Sequence, residues 1–168
     1  MFYEQHMAQL TKKVILVGQL LVGKTSIFNK YIYNKFSEQY TSIIGVHIDK
    51  KTLEIEEHQL NLILWDSNQE NTPQSYFLGT GGVIYVIDLS NASLFNTIKE
   101  DISFIKNRLP NIPILIVGNK KDLLSESALS DVIDHLPITP DLLTSAKTGE
   151  NIDLIFETIG KMMIPSSN

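Results

Sequence analysis

Eight consecutive residues, Gly18-Gln19-Leu20-Leu21-Val22-Gly23-Lys24-Thr25, constrain this chain more than any other stretch. They follow a short apolar run, Val14-Ile15-Leu16-Val17, which reads as a buried central strand. They lead into Lys24 to Tyr33, where Ile27, Phe28, Tyr31 and Ile32 make an apolar stripe at helical spacing. A glycine-bounded loop between such a strand and a helix start, closing on Lys-Thr, matches the phosphate-loop pattern G-x-x-x-x-G-K-[ST]. The chemistry behind it is dense negative charge. Backbone N–H groups at a helix N-terminus donate to phosphate oxygens, and the helix dipole favours the anion. Gly18 and Gly23 let the chain turn tightly and approach those oxygens without a Cβ in the way. Leu21, Val22 and Ser26 belong to the same phosphate-binding stretch. Lys24 is placed to bridge the outer phosphates and the Thr25 hydroxyl to ligate Mg²⁺. The competing reading, an ordinary strand-to-helix turn that happens to carry Lys-Thr, is disfavoured by the flanking elements.

The remainder alternates apolar runs with helical patterns, which predicts an α/β fold. Val46 to Glu56 and Leu60 to Trp65 read as two strands joined through Glu57-His58-Gln59. Val83 to Ile87 is a buried strand ending at Asp88. A helix from about Asn91 to Arg108 stops at Pro110. Ile112 to Val117 is a strand and Ser127 to His135 a weaker helix. Leu142-Leu143 is a short strand, and the last helix runs from about Asn151 to Met163. The sum is a mostly parallel sheet with helices on both faces and one antiparallel edge pair. A length of 168 residues suits one such domain. The net charge of -5 gives no electrostatic footprint for nucleic acid or acidic lipid. Without cysteine, disulfides, thiolate metal sites and any Cys-linked lipid anchor are excluded for these residues. The start carries no signal-peptide core, so a cytoplasmic protein is expected. His6, His47, His58 and His135 are scattered without metal-ligand spacing.

Asn119-Lys120-Lys121-Asp122 follows directly on the strand that ends at Val117-Gly118. A carboxylate at Asp122 can accept from both N1–H and the 2-amino group of guanine in one planar contact. Adenine offers neither donor, and a buried polar group left unmet costs about 1–3 kcal/mol. Lys120 can lay its methylene stem across the base, and Asn119 can tie neighbouring loops together. By itself the tetrapeptide is ordinary loop sequence, and its place at a strand end in a chain with a phosphate loop gives it weight. Further on, Thr144-Ser145-Ala146-Lys147 offers the Ala146 N–H for guanine O6 and Lys147 to close over the base. A polar turn capping the last helix explains the same residues equally well.

With Trp65-Asp66, these motifs stand in the order and spacing of Ras-like small GTPases. The chain most resembles the Rab branch, with Tyr40-Thr41-Ser42-Ile43-Ile44-Gly45-Val46 similar to its first switch and Trp65-Asp66 opening the second. The resemblance spans about Lys12 to Met163. It implies a single G domain over 12–163, with an N-terminal extension at 1–11 and a short end at 164–168. It also implies the P-loop NTPase fold, with a six-stranded sheet and five helices. GTP and GDP are the implied ligands and Mg²⁺ the cofactor, with Asp66 reaching the ion through water. Phe36 takes the place of an aromatic clamp on the base, beside the guanine contacts Asn119, Lys120, Asp122, Ser145, Ala146 and Lys147. Protein effectors and exchange or activating factors are the implied partners, and a monomer is expected.

Three departures affect hydrolysis. The family's threonine before Ile-Gly-Val, a Mg²⁺ ligand, is here Ile43, and Thr41 or Ser42 replaces it only if the loop shifts. The family's Trp-Asp-Thr-Ala-Gly-Gln-Glu becomes Trp65-Asp66-Ser67-Asn68-Gln69-Glu70, one residue short and without the glycine that senses the γ-phosphate. Gln69 keeps the identity of the water-orienting catalytic residue, one position too close to Asp66. Pro73 further discourages a regular helix in the second switch. Finally, Leu20 and Leu21 stand where small residues are usual, and either crowd the reacting phosphate or pack outward. Slow or absent GTP hydrolysis is therefore expected, in a protein regulating membrane traffic or signalling through partners. A nucleotide-locked, non-cycling interaction module is the alternative, and a P-loop kinase or ATPase is disfavoured by Asn119 to Asp122. Rab-like proteins end in prenylated tails, which these residues lack, so membrane contact is expected through partners or a missing tail.

Overall fold

A computed structural model describes residues 8–38, 45–67 and 72–165. Its six strands are β1 (Ala8–Val17), β2 (Val46–Ile55), β3 (His58–Ser67), β4 (Thr80–Asp88), β5 (Ile114–Asn119) and β6 (Leu142–Leu143). Four α-helices lie among the described residues: α1 (Lys24–Tyr33), α2 (Ile98–Arg108), α3 (Glu126–His135) and α4 (Ile152–Met163). The strand order is β2-β3-β1-β4-β5-β6. All pairings are parallel except β2 with β3, the antiparallel edge pair expected.

Alternation along β1 divides the core into two layers. Val14 and Leu16 face α1 and α4, packing with Ile27, Phe28, Ile155, Phe156 and Ile159. Ile15 points the other way, into a cluster with Tyr85, Ile87, Phe95, Ile98, Ile102 and Ile105. Period-two side chains on a strand buried on both faces require this arrangement. The helices thus cover both faces of the sheet. The order also turns around β1, whose neighbours are β3 on one side and β4 on the other. In open α/β sheets that switch point leaves a crevice at the carboxyl ends of the strands, where ligands bind.

Several expectations shift. Ala8 to Thr11, read from the resemblance as part of an extension, continue β1 and pair with His58 to Asn61 of β3. The hairpin turns on Glu56-Glu57, because Ile55 pairs with His58 and Glu56 takes φ 55. Where the resemblance implies a fifth helix, residues Gln74–Phe77 form one 3₁₀ turn after an extended Pro73. The predicted helix from Asn91 begins as a 3₁₀ segment, Ala92–Thr97, because Asn91 Oδ1 accepts from the Ser93 N–H and Oγ in a local turn. α3 starts at Glu126, capped by Ser125 Oγ, which accepts from the Ala128 N–H. Among the described residues no helix is long and apolar enough to cross a membrane.

Candidate nucleotide site

At the carboxyl ends of β1, β5 and β6 the loops enclose a cavity of about 880 Å³. Its wall includes Leu20, Leu21, Gly23, Lys24, Thr25 and Ser26 from the phosphate loop and α1. Tyr33 ends α1 and Phe36 and Glu38 follow it, while Asn119 ends β5 and Lys120, Asp122, Ala146 and Lys147 come from the loops after β5 and β6. Residues far apart in sequence meet here because parallel strands end on the same side of a sheet.

The two glycines are required by contacts. A Cβ on Gly18 would stand 2.5 Å from the Val86 carbonyl oxygen, and one on Gly23 would stand 2.2 Å from Asn119 Nδ2. Both residues also take positive φ, 141 and 103. Val22, between Leu21 and Gly23, is buried and presents its carbonyl to Asn119 Nδ2 at 3.0 Å. Leu21 also takes the left-handed conformation at φ 63, which β-carbon-bearing residues seldom adopt. Its side chain is 60% exposed and that of Leu20 36%, so both leucines stand on the rim of the cavity.

Lys24 is 7% exposed and donates to the carbonyls of Gly18 at 2.9 Å and Gln19 at 2.7 Å. Burial pushes its pKa below the ordinary 10.5, opposed by the charge of Asp66. Asp66 is 1% exposed at the end of β3, and its Oδ2 accepts from Thr25 Oγ1 at 2.6 Å. Burial raises its carboxyl pKa above 3.8, against the Thr25 hydrogen bond and the Lys24 charge. Its other oxygen, Oδ1, is buried with no hydrogen-bond partner among the described residues. An unmet carboxylate oxygen beside a threonine hydroxyl is a hard-oxygen donor set, and it fits Mg²⁺. Gln69, the candidate catalytic residue, lies outside the described residues, as do Tyr40 to Ile44 of the first switch.

Asn119 is 1% exposed and cross-links the site. Besides Nδ2 to Val22, its Oδ1 accepts from the Ala146 N–H at 3.1 Å. The Ala146 amide assigned above to guanine O6 is thus also tied to Asn119. Ser145, assigned to guanine, is fully buried and outside the cavity wall. It acts one step back, its Oγ donating to Asp122 Oδ1 at 2.6 Å and so orienting that carboxylate. Phe36 is half-buried, packed against the α1–α4 layer, and lines the cavity. Lys147 Nζ pairs with Glu38 Oε1 at 2.6 Å, joining two loops that line the cavity.

Sequence reasoning missed Glu38, Gln19 and Asp88. Gln19 Nε2 donates to the Leu94 carbonyl at 2.9 Å and to Thr97 Oγ1, linking the phosphate loop to the 3₁₀ segment before α2. Asp88 carried a legible signal, an acid terminating a buried strand on the ligand side of the sheet.

Fold and site together define a phosphate-loop nucleotide-binding α/β domain. The Ras family model matches residues 13–164. The chain is 34% identical over 163 residues to Ras-related protein Rab-1 of Theileria annulata, covering 90% of this chain and 73% of that protein. It is 32% identical over 165 residues to the Ypt/Rab-type GTPase YPT7 of Saccharomyces cerevisiae, covering 89% and 79%. Against Ras-related protein Rab7 of Glycine max the identity is 30% over 172 residues, covering 93% and 84%. The chain belongs to the Ras family of small GTPases, as a Rab-like member.

Proposed function

We propose that this chain binds GTP and GDP with Mg²⁺, hydrolyses GTP slowly or not at all, and regulates membrane traffic or signalling through the partners that read its nucleotide state. The convergence of Lys24, Thr25 and Asp122 on one cavity, with Asp66 bonded behind Thr25, carries this reading. The Lys24 ammonium answers the charge of the outer phosphates. Phe36 and the Lys120 stem sandwich the base, while Asp122, held by Ser145, reads its edge. Thr25 Oγ1 and, through water, Asp66 Oδ1 would hold the metal, which when bound neutralises charge on the phosphates.

Slow hydrolysis follows from positioning. Phosphoryl transfer is catalysed almost entirely by placement and electrostatics. Here Ile43 offers no oxygen ligand, Ser67 to Glu70 contain no glycine, and Leu20 and Leu21 rim the cavity beside the phosphate loop. The same three features favour a second reading, a nucleotide-locked interaction module that never cycles. A cytoplasmic protein reaching membranes through partners agrees with both.

Single-turnover phosphate release from the GTP-loaded chain tests the proposal. The expected rate lies well below the ~10⁻⁴ s⁻¹ typical of unassisted small GTPases, with bound GDP still exchanging. A rate at or above that value refutes the slow-hydrolysis reading. Failure of the bound nucleotide to exchange selects the locked module. ATP bound as tightly as GTP refutes the guanine site altogether.

A further inference from the structure

Behind the cavity wall, Asp88, the last residue of β4 and outside every motif, forms an ion pair with Lys120 of the base loop. Asp88 is 5% exposed, and its Oδ2 lies 2.6 Å from Lys120 Nζ. We infer that Asp88 is a positioning residue for the nucleotide: it fixes the Lys120 side chain so that one ammonium joins the base loop to the phosphate loop. This inference rests on the nucleotide reading given above.

A buried carboxylate persists only where its charge and lone pairs are met. Asp88 divides them between two tasks. Oδ1 accepts from the Ser90 N–H at 2.9 Å and from Ser90 Oγ at 2.6 Å, shaping the turn after β4. Oδ2 is given to Lys120. The same Lys120 Nζ donates to the Leu21 carbonyl at 2.7 Å, across 99 residues of sequence. Its two ends are both conformationally disfavoured, since Leu21 sits at φ 63 and Lys120 at φ 65. Such conformations persist where surrounding contacts over-determine them. Lys120 Nζ supplies one such contact, and Asp88 holds it in place.

Geometry separates this role from ligand contact. Lys120 lines the cavity and Asp88 does not. The Lys120 side chain is 30% exposed, so without its carboxylate partner the ammonium is free to turn to solvent. The stem would then leave the wall, and the Leu21 carbonyl would lose its donor. The register places Asp88 opposite Asn119, and the Leu89 N–H donates to the Asn119 carbonyl at 3.0 Å. The carboxylate is thus anchored to the backbone from which Lys120 projects.

The test is the dissociation rate of a fluorescent GDP from the Mg²⁺-loaded chain in a double-mutant cycle. Asp88→Ala is expected to speed release about 10-fold, equivalent to about 1.4 kcal/mol. Lys120→Ala should speed it at least as much, and adding Asp88→Ala to Lys120→Ala should change nothing further. Asp88→Asn, which keeps an acceptor for the ammonium, should recover most of the lost retention. Ser90→Ala, which removes only the turn contact, should leave the rate within about twofold of wild type. Additive effects of Asp88→Ala and Lys120→Ala overturn the inference, as does Ser90→Ala matching Asp88→Ala. Should Asp88→Ala fail to fold, Asp88→Ser, whose hydroxyl is too short to reach the ammonium, takes its place in the cycle, and additivity there overturns the inference equally. A wild-type chain that retains no GDP overturns the nucleotide reading and this inference with it.

Discussion

Replacing Asn119 by alanine removes the side chain that connects three loops of the site. Two of its hydrogen bonds have good geometry, Nδ2 to the Val22 carbonyl at 3.0 Å and the Ala146 N–H to Oδ1 at 3.1 Å. The third, from Thr144 Oγ1 at 3.4 Å, contributes little. Val22 and Ala146 are 2% and 3% exposed, so water cannot readily take over either broken partner. A buried donor or acceptor left unmet costs about 1–3 kcal/mol. With one of each, and partial relaxation, the loss of folding stability is about 3 kcal/mol. For a domain of this size that corresponds to a fall in Tm of about 6–12 °C. Melting curves of the nucleotide-free protein measure it directly. The rise in Tm on adding GDP should also shrink in Asn119→Ala, because the loops that hold base and phosphate are no longer joined. Asn119→Asp separates the arms: it keeps an acceptor for Ala146 but sets an oxygen against the Val22 carbonyl, so it should destabilise at least as much. A Tm for Asn119→Ala within about 2 °C of wild type would refute this account of the cross-link.

Three further outcomes are expected. Gly23→Ala, whose new Cβ would lie 2.2 Å from Asn119 Nδ2 at a backbone φ of 103, should abolish GDP binding in isothermal titration; retained affinity would mean that the loop repacks. Asp122→Ala should lose most of its preference for GDP over ADP, by about 100-fold or more in competition binding, since the base edge no longer meets a carboxylate. The Glu38–Lys147 pair should slow GDP release across a broad pH range. Lys147 holds the Glu38 carboxyl below its ordinary 4.5, so the bond is present above that pH and lost as pH falls through the lowered value. Glu38 holds Lys147 above 10.5, so the bond is present below that pH and lost as it rises further. Glu38→Gln should therefore release GDP faster than wild type at pH 7 in low salt. The difference should vanish near 1 M salt, where the screening length is about 3 Å; a salt-independent difference would deny the pair an electrostatic role.

What could be read before folding was local. The α1 boundaries, Lys24–Tyr33, coincide with those drawn from apolar spacing and the phosphate-loop pattern. The last helix was placed within one residue, and its inward face follows from Ile152, Ile155, Phe156 and Ile159. Boundaries set by pairing partners were not readable in this way. β1 reaches back to Ala8 because His58 to Asn61 lie alongside it, and nothing within Ala8 to Thr11 announces those neighbours. The helix expected from Asn91 lost its first turns to a 3₁₀ segment because a side chain competed for the backbone there.

Which atoms are candidates for phosphate, base and metal chemistry is legible in the chain itself, since a lysine amine, an aspartate carboxylate and a threonine hydroxyl have fixed donor and acceptor character at given spacings. How those atoms support one another was decided only by the fold. Asn119 stands against Gly23, Ser145 steers Asp122, and Asp88 holds Lys120 on Leu21 because parallel strands deliver distant loops to one edge of the sheet. Periodicity and turn chemistry act over a few residues, whereas a hydrogen bond spanning 97 residues exists only once the sheet's register is set.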